Sequence, residues 1–285
     1  MFPYLGRPRG AKPRATAVIP LADVPRNDGR MINFSVRAKL AAADPSFTTG
    51  FAFGGVGTGG VKPLPIRAVG PSLAPLGTAD PLPDPAITVM NGKVRVAAND
   101  NWYAEDGPTL SSAFIQVGAF PFLSNTSRDA AVLFNPTIIS LASYTIEVRG
   151  NGTSGVVLAE LCDAIPKNAC TLTTPRLINF SVLKQIAVDE NLTTGLFIGG
   201  ATSQRVLVRA VGPTLGTAFG VGGAMANPKI ELFDSSRKLI ASNRGWDGGA
   251  KLATTIRNVG AFKLPDGSTD AVVLIALPPV ATTCK

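Results

Sequence analysis

The sequence contains no histidine. That removes the Ser-His-Asp and Cys-His arrangements of nucleophilic catalysis, and with them the histidine-rich zinc sites of common hydrolases. Charge is scarce too, at 16% of residues, so the surface must be built largely from Ser, Thr, Asn and Gly. No apolar run reaches the about 18 residues that read as a spanning helix, and no membrane span is expected. Cysteine occurs three times, as Cys162, Cys170 and Cys284. Three thiols cannot all pair within one chain. Cys162 and Cys170 are close enough in sequence for a local disulfide, which leaves Cys284 free or available to a second chain. There is no Cys-x-x-Cys, which argues against a cysteine-based zinc or redox motif.

What is present points to strands. Hydrophobic residues make up 45%, with 30 Gly and 23 Pro to punctuate turns. A chain of 285 residues fits two domains of ordinary size. The formal charge of +8 is partly local: Arg7, Arg9, Lys12 and Arg14 form a basic, proline-rich leader without the apolar core of a secretory signal. The other Lys and Arg are scattered along strands, and most aromatics are Phe at apolar positions, so no nucleic-acid partner is expected.

One stretch organises the rest. Arg30-Met31-Ile32-Asn33-Phe34-Ser35-Val36 returns as Arg176-Leu177-Ile178-Asn179-Phe180-Ser181-Val182. The residues downstream of it repeat in the same order. Phe47-Thr48-Thr49-Gly50 is echoed by Leu192 to Gly195, Arg67 to Pro71 by Arg209 to Pro213, and Val117 to Phe120 by Val259 to Phe262. Within the first copy, alternation predicts strands over 31–39, 47–55, 66–69, 130–134, 144–148 and 155–161. Residues 86–90 and 93–98 read as a hairpin across Asn91-Gly92. Leu110 to Phe120 has helical spacing. Glycines 54–60 and 220–223 read as turns, because they lack the Lys-Ser/Thr of a phosphate loop. The expected fold is all-β: two tandem antiparallel β-sandwiches of jelly-roll type, each with one short helix. The expected boundaries are 1–29 (leader plus a spare strand at 16–24), 30–165 and 166–285.

The copies do not match at their ends. Nothing after Pro279 corresponds to Tyr144–Leu161, while Thr16–Val24 resembles Gly155–Asp163, at the last strand of the first copy. A sandwich short of a strand exposes unpaired backbone. Residues 16–24 could fill the gap in the same chain or in a neighbour, giving self-association; the plain alternative is a ragged second copy.

The Arg-x-Ile-Asn-x-Ser-Val start, the Arg-Ala-Val-Gly-Pro-[Ser/Thr]-Leu strand, the Asn…Trp loop and the Val-Gly-Ala-Phe segment resemble a tandem β-sandwich repeat of large secreted or surface proteins of environmental bacteria. The resemblance covers residues 16–279 and implies an extracellular or cell-surface accessory module without assigned catalytic residues. The hairpin and loop are similar, over a shorter stretch, to the bacterial pre-peptidase C-terminal domain, a calcium-associated jelly roll.

Candidate site residues fall in three groups. Arg67 and Arg209 are either anion binders or buried cations neutralised by carboxylates, with Asp129 and Asp270 as candidates. Trp102, Tyr103 and Trp246 on loops either stack on a polysaccharide or close the core. Asn99, Asp100, Asn101, Glu105 and Asp106 crowd oxygen ligands into one loop, which suits calcium or simply a solvated turn. The leading expectation is a non-catalytic structural, adhesive or assembly protein. The alternatives are a carbohydrate-binding module or a calcium-dependent hydrolase of esters, lactones or glycosides, because chemistry without histidine would need carboxylates or a carboxylate-bound metal.

Overall fold

The computed structural model describes residues 26–139, 141–187 and 190–279. The leader, the strand expected at 16–24 and Cys284 lie outside the described residues. The first half supplies β1 (Arg30–Leu40), β2 (Ser46–Gly54), β3 (Gly60–Val61), β4 (Leu64–Val69), β5 (Ala86–Asn91), β6 (Val94–Asn99), helix α1 (Tyr103–Val117), β7 (Ala130–Phe134), β8 (Thr137–Ile138), β9 (Leu141–Arg149) and β10 (Gly155–Cys162). The second half supplies β11 (Arg176–Leu183), β12 (Thr193–Gly199), β13 (Gln204–Ala210), α2 (Pro213–Phe219), β14 (Lys229–Phe233), β15 (Leu239–Arg244), α3 (Ala250–Asn258) and β16 (Ala271–Leu277).

The chain is all-β with few helices, as its alternation implies. The second half has two helices, not the expected one. The segment equivalent to α2 in the first half, Pro71–Leu76, is a 3₁₀ turn with Pro75 inside it. Proline lacks the N–H that an α-helical bond needs, and Thr217 stands at the matching place in α2. Helical backbone begins before the expected Leu110, at Tyr103, is interrupted by a kink at Asp106 (φ −153°, ψ 52°), and ends with Gly118 in the left-handed region (φ 70°).

Strand pairing departs most from two separate sandwiches. A ten-stranded sheet runs β6-β5-β9-β2-β11-β1-β10-β4-β7, with β12 also paired to β1. Its ends, β6 and β7, come back into contact, so the sheet is nearly closed and barrel-like. The first strand of each half pairs with the second strand of the other half. In β11–β2, Ser181 faces Gly50 and Phe180 faces Phe51. In β1–β12, Ser35 faces Gly195 and Phe34 faces Leu196. Both ladders carry a bulge at the same place, between Leu177 and Asn179 and between Met31 and Asn33. The equivalent residues Met31 and Leu177 pair with each other, and the equivalent rings of Phe34 and Phe180 stack at 4.5 Å and 13°. The two halves are therefore related by a local twofold axis through these pairs.

Close approach fixes the register of these two ladders. A Cβ on Gly50 would lie 2.6 Å from Ser181 Oγ, and a Cβ on Gly195 would lie 2.6 Å from Ser35 Oγ. The main core, from Phe34 through Phe51, Phe53, Ile66 and Val148 to Leu161, also takes in Phe180, Val182 and Leu196 of the second half. Because the halves share this core, Phe34→Ala should cost about 3 kcal/mol or more and shift one cooperative transition in which both halves unfold together. Denaturant melts followed by circular dichroism check this; two transitions, with only the first displaced, would contradict the shared core.

Candidate functional site

The most elaborate polar construction lies around β4. Arg67 sits mid-strand and is fully buried. β4 runs between β10 and β7, and Arg67 faces Glu160 of β10 across the ladder. Its Nε lies 3.2 Å from Glu160 Oε2, while Nη1 donates to Phe120 O at 2.7 Å. The rings of Phe114, Phe120 and Phe122 surround the guanidinium at 4.6, 4.5 and 4.5 Å. A buried cation needs a partner and polarizable neighbours to offset lost hydration; this one has both. Burial pushes the Glu160 carboxyl above its usual range, and Arg67 opposes that.

The expected pairing of Arg67 with Asp129 is therefore corrected: its carboxylate comes from β10. Asp129 holds a turn. Its Oδ1 accepts from Gly70 N at 2.7 Å and Ser72 N at 3.3 Å, and its Oδ2 accepts from the hydroxyls of Ser72 and Ser127. The second half repeats the clamp. Asp270 Oδ1 accepts from Gly212 N at 2.7 Å, and its Oδ2 accepts from Thr214 Oγ1 and from Ser268 Oγ at 2.8 Å. The glycine is required at this turn, since a Cβ on Gly70 would lie 2.1 Å from Leu82 O and one on Gly212 would lie 2.0 Å from Met225 O.

Arg209 repeats the pose of Arg67. Its Nη1 donates to Phe262 O at 2.7 Å, and its guanidinium lies 4.2 Å from the Phe262 ring. Burial pulls its pKa below the ordinary arginine value, and Asp270 opposes this. Among the described residues, however, no carboxylate lies within ion-pair distance of it. The reason is topological. Among the described residues β13 pairs only with β16, the counterpart of β7, and nothing occupies the place that β10 holds beside β4. Nearly the same sequence is consequently buried throughout β4 and only half-buried along β13.

A second buried cluster closes the lower end of β10. Lys62 Nζ lies 2.6 Å from Asp163 Oδ2, and Arg30 Nε lies 3.8 Å from the same oxygen. Burial pulls the Lys62 pKa down, and Asp163 opposes it. Cys162 and Cys170 are both buried and are not joined to each other by the local disulfide. Asn33 Nδ2 donates to Cys162 Sγ at 3.2 Å, and Cys170 Sγ turns to Pro166 O at 3.6 Å.

The loop aromatics are placed inward. Trp102 and Trp246 are each 4% exposed. Trp102 packs edge-on against Tyr103 and Phe122 and donates its indole N–H to Ser124 O at 3.1 Å. Tyr103 is the exposed one of the three. Trp246 differs from its counterpart: its indole N–H has no partner among the described residues. It lines a cleft of about 350 Å³ with Asn243, Arg244, Asp247, Ser268 and Thr269.

The oxygen-rich loop is divided among local tasks. Asn99 Oδ1 accepts from Ala131 N at 3.0 Å, as Asn243 Oδ1 does from Val272 N at 2.9 Å. Asp100 accepts from Asn101 Nδ2, while Glu105 and Asp106 lie in the first turn of α1. Among the described residues no three His, Cys, Asp or Glu side chains gather to hold a metal ion.

Sequence reasoning found Arg67, Arg209, Asp129 and Asp270 through their repetition. It missed Glu160, whose signal was its place in the strand that 16–24 imitates. Comparison with protein-family models, curated proteins and solved structures gives no match. The class the fold defines is an all-β chain with a nearly closed, barrel-like sheet whose two halves exchange strands.

The Asp270 clamp should titrate. Burial alone would raise the Asp270 pKa, but the hydrogen bonds from Thr214, Gly212 and Ser268 outweigh it and hold the carboxyl below the ordinary value. A depressed folded-state pKa stabilises the fold above the unfolded value and loses that contribution as pH falls through the folded one. Asp270→Asn should lower stability at neutral pH and flatten its decline in acid below about pH 4, measured by denaturant melts across pH.

Proposed function

We propose that this chain is a non-catalytic, extracellular β-rich repeat protein with a structural, adhesive or assembly role, and that it works by accepting a further strand at an open sheet edge. The carrying observation is that, among the described residues, β13 is paired on one side only and β11 is paired opposite β2 only at Leu177; these are the strands equivalent to the two that flank β10. An open edge presents a row of backbone donors and acceptors, the usual template for strand addition. Here the edge also carries a preset cation, Arg209, in the pose that Arg67 holds toward Glu160. The extracellular part of the reading comes from the repeat motifs and the weakly charged surface. Two tandem sandwich units remain the reading of the repeat, with each unit completed by strands from outside itself.

Hydrogen exchange on the full chain tests this. A strand bonded only to β16 leaves alternate β13 amides open to water. If the edge is occupied in solution, all β13 amides are protected; rapid exchange at every second residue would refute strand acceptance.

A second reading has its own observation. Trp246, whose buried indole N–H has no partner among the described residues, lines a cleft with Arg244, Asp247, Ser268 and Thr269, polar groups suited to the hydroxyls of a polysaccharide. Soluble polysaccharides should then change tryptophan fluorescence in the full chain, and Trp246→Phe should abolish the response while leaving the Trp102 signal in place. Unchanged emission across a panel of neutral and acidic polysaccharides would end this reading.

A further inference from the structure

We infer that the cleft at Trp246 binds a carboxylate-bearing sugar, a uronic-acid residue, and that Arg244 holds its carboxylate. This rests on the polysaccharide reading of that cleft and names its ligand class.

The first half shows how the cleft arises. Both copies keep the tryptophan, but the second reduces what surrounds it. Trp102 is covered by the rings of Tyr103 and Phe122, each 5.1 Å away, and by that of Phe114 at 5.9 Å. The matching residues of the second half are Asp247, Leu264 and Ile256, and Leu264 takes the place of Phe122 in the tryptophan's cluster. The connection to the helix is shorter as well. Eight positions separate Trp102 from Leu110, but six separate Trp246 from Leu252. Helix α1 therefore begins directly after its tryptophan, at Tyr103, whereas α3 begins only at Ala250. Gly248 (φ 72°) and Gly249 occupy the interval. The segment after the helix is also shorter, with nine positions from Phe120 to Asp129 and eight from Phe262 to Asp270. Fewer residues and smaller side chains leave the cleft of about 350 Å³, a size that takes a small molecule.

Charge at this place is reversed between the halves. Asn99 pairs with Ile87 and Asn243 with Ile230, so Asp100 is matched by Arg244. Side chains alternate across a strand. Asn243 shares the face of Ile230 and its cluster, and Arg244 falls on the other face, where Trp246 and Val272 pack. Arg244 is exposed and lines the cleft. Among the described residues no carboxylate lies within ion-pair distance of it. Across the ladder it faces Lys229, and the carboxylate beside that pair, Glu231, is engaged by Lys229. Two directly opposed cations repel. A bound carboxylate relieves that repulsion and matches the planar fork of the guanidinium.

The rest of the lining suits hydroxyls. Asp247 is exposed and spends Oδ1 on Gly249 N at 3.0 Å, so its second oxygen can accept from a ligand. Ser268 and Thr269 donate their hydroxyls to Asp270 Oδ2 and to Ala226 O, so toward a ligand their oxygens are acceptors. Leu252 and Val272 supply apolar surface for the C–H face of a sugar ring. A wall of acceptors with one cation fits a polyol that carries a single carboxylate.

The test titrates the nitrogen-15-labelled full chain with glucose, glucuronate and a short oligomer of each. The two tryptophans give separate indole N–H resonances, assigned with Trp246→Phe, or with Trp102→Phe if that variant does not fold. Glucuronate or its oligomer should move the Trp246 resonance and leave that of Trp102 in place. Arg244→Gln should weaken this binding about tenfold or more. Asp247→Tyr restores the first-half side chain and should abolish the response; retained binding would place the ligand elsewhere. Equal binding of glucose and glucuronate, unaffected by Arg244→Gln, would overturn the acidic sugar while leaving the polysaccharide reading intact. An equal response to acetate would overturn the sugar in favour of a bare carboxylate. No response to any of the sugars or oligomers would remove both readings.

Discussion

The exchange of first strands between the halves is the constraint on which the rest depends. β1 is bonded to β10 of its own half and to β12 of the other, while β11 is bonded to β2. Neither half can complete its sheet alone. The glycines at 50 and 195, the serines at 181 and 35 and the stacked Phe34 and Phe180 all lie on this seam. Each is required twice because the seam is built twice. Repetition in the sequence is therefore more than a record of duplication; it is the physical means by which one strand fits two equivalent places.

The two arginines show what a neighbouring strand contributes. Arg67 and Arg209 keep the same bond to a phenylalanine carbonyl and the same ring contact. With β10 beside it, Arg67 is enclosed and paired. Without an equivalent, Arg209 remains half-buried and lacks a carboxylate within reach among the described residues. Stripping a cation of water without a partner costs several kcal/mol, so an arginine positioned this way favours completion by a strand that brings negative charge. The Asp129 and Asp270 clamps, by contrast, are complete in both halves because every donor they use is local.

Much of the fold was legible in the residues. The alternation of Ala130–Phe134 and of Gly155–Leu161, and the Asn91-Gly92 turn, place strands where they occur, because period-two burial and turn chemistry are local properties. The exchange was not legible, and the reason is physical. β1 and β11 carry nearly the same side chains, as do the segments around Gly50 and Gly195, so either pairing satisfies the same register. Pattern cannot choose between chemically equivalent partners. The site was legible in part. Repetition marked Arg67 and Asp129 but could not say that they serve different structures. The tryptophans could be read outward or inward from sequence, and the hydrophobic cluster with Phe114 and Phe122 decides for inward at Trp102.

The crossed pairing also sets a timetable for biosynthesis. β2 leaves the ribosome well before β11, its partner, is made. At about 5–20 residues per second, the interval is on the order of ten seconds, during which the Phe51 and Phe53 side of β2 has no lasting cover on that edge. A nascent first half must therefore wait as an unfinished template, and its sparing use of charge makes that wait hazardous. Chaperone dependence should be greatest in that window, before the second half emerges to relieve it.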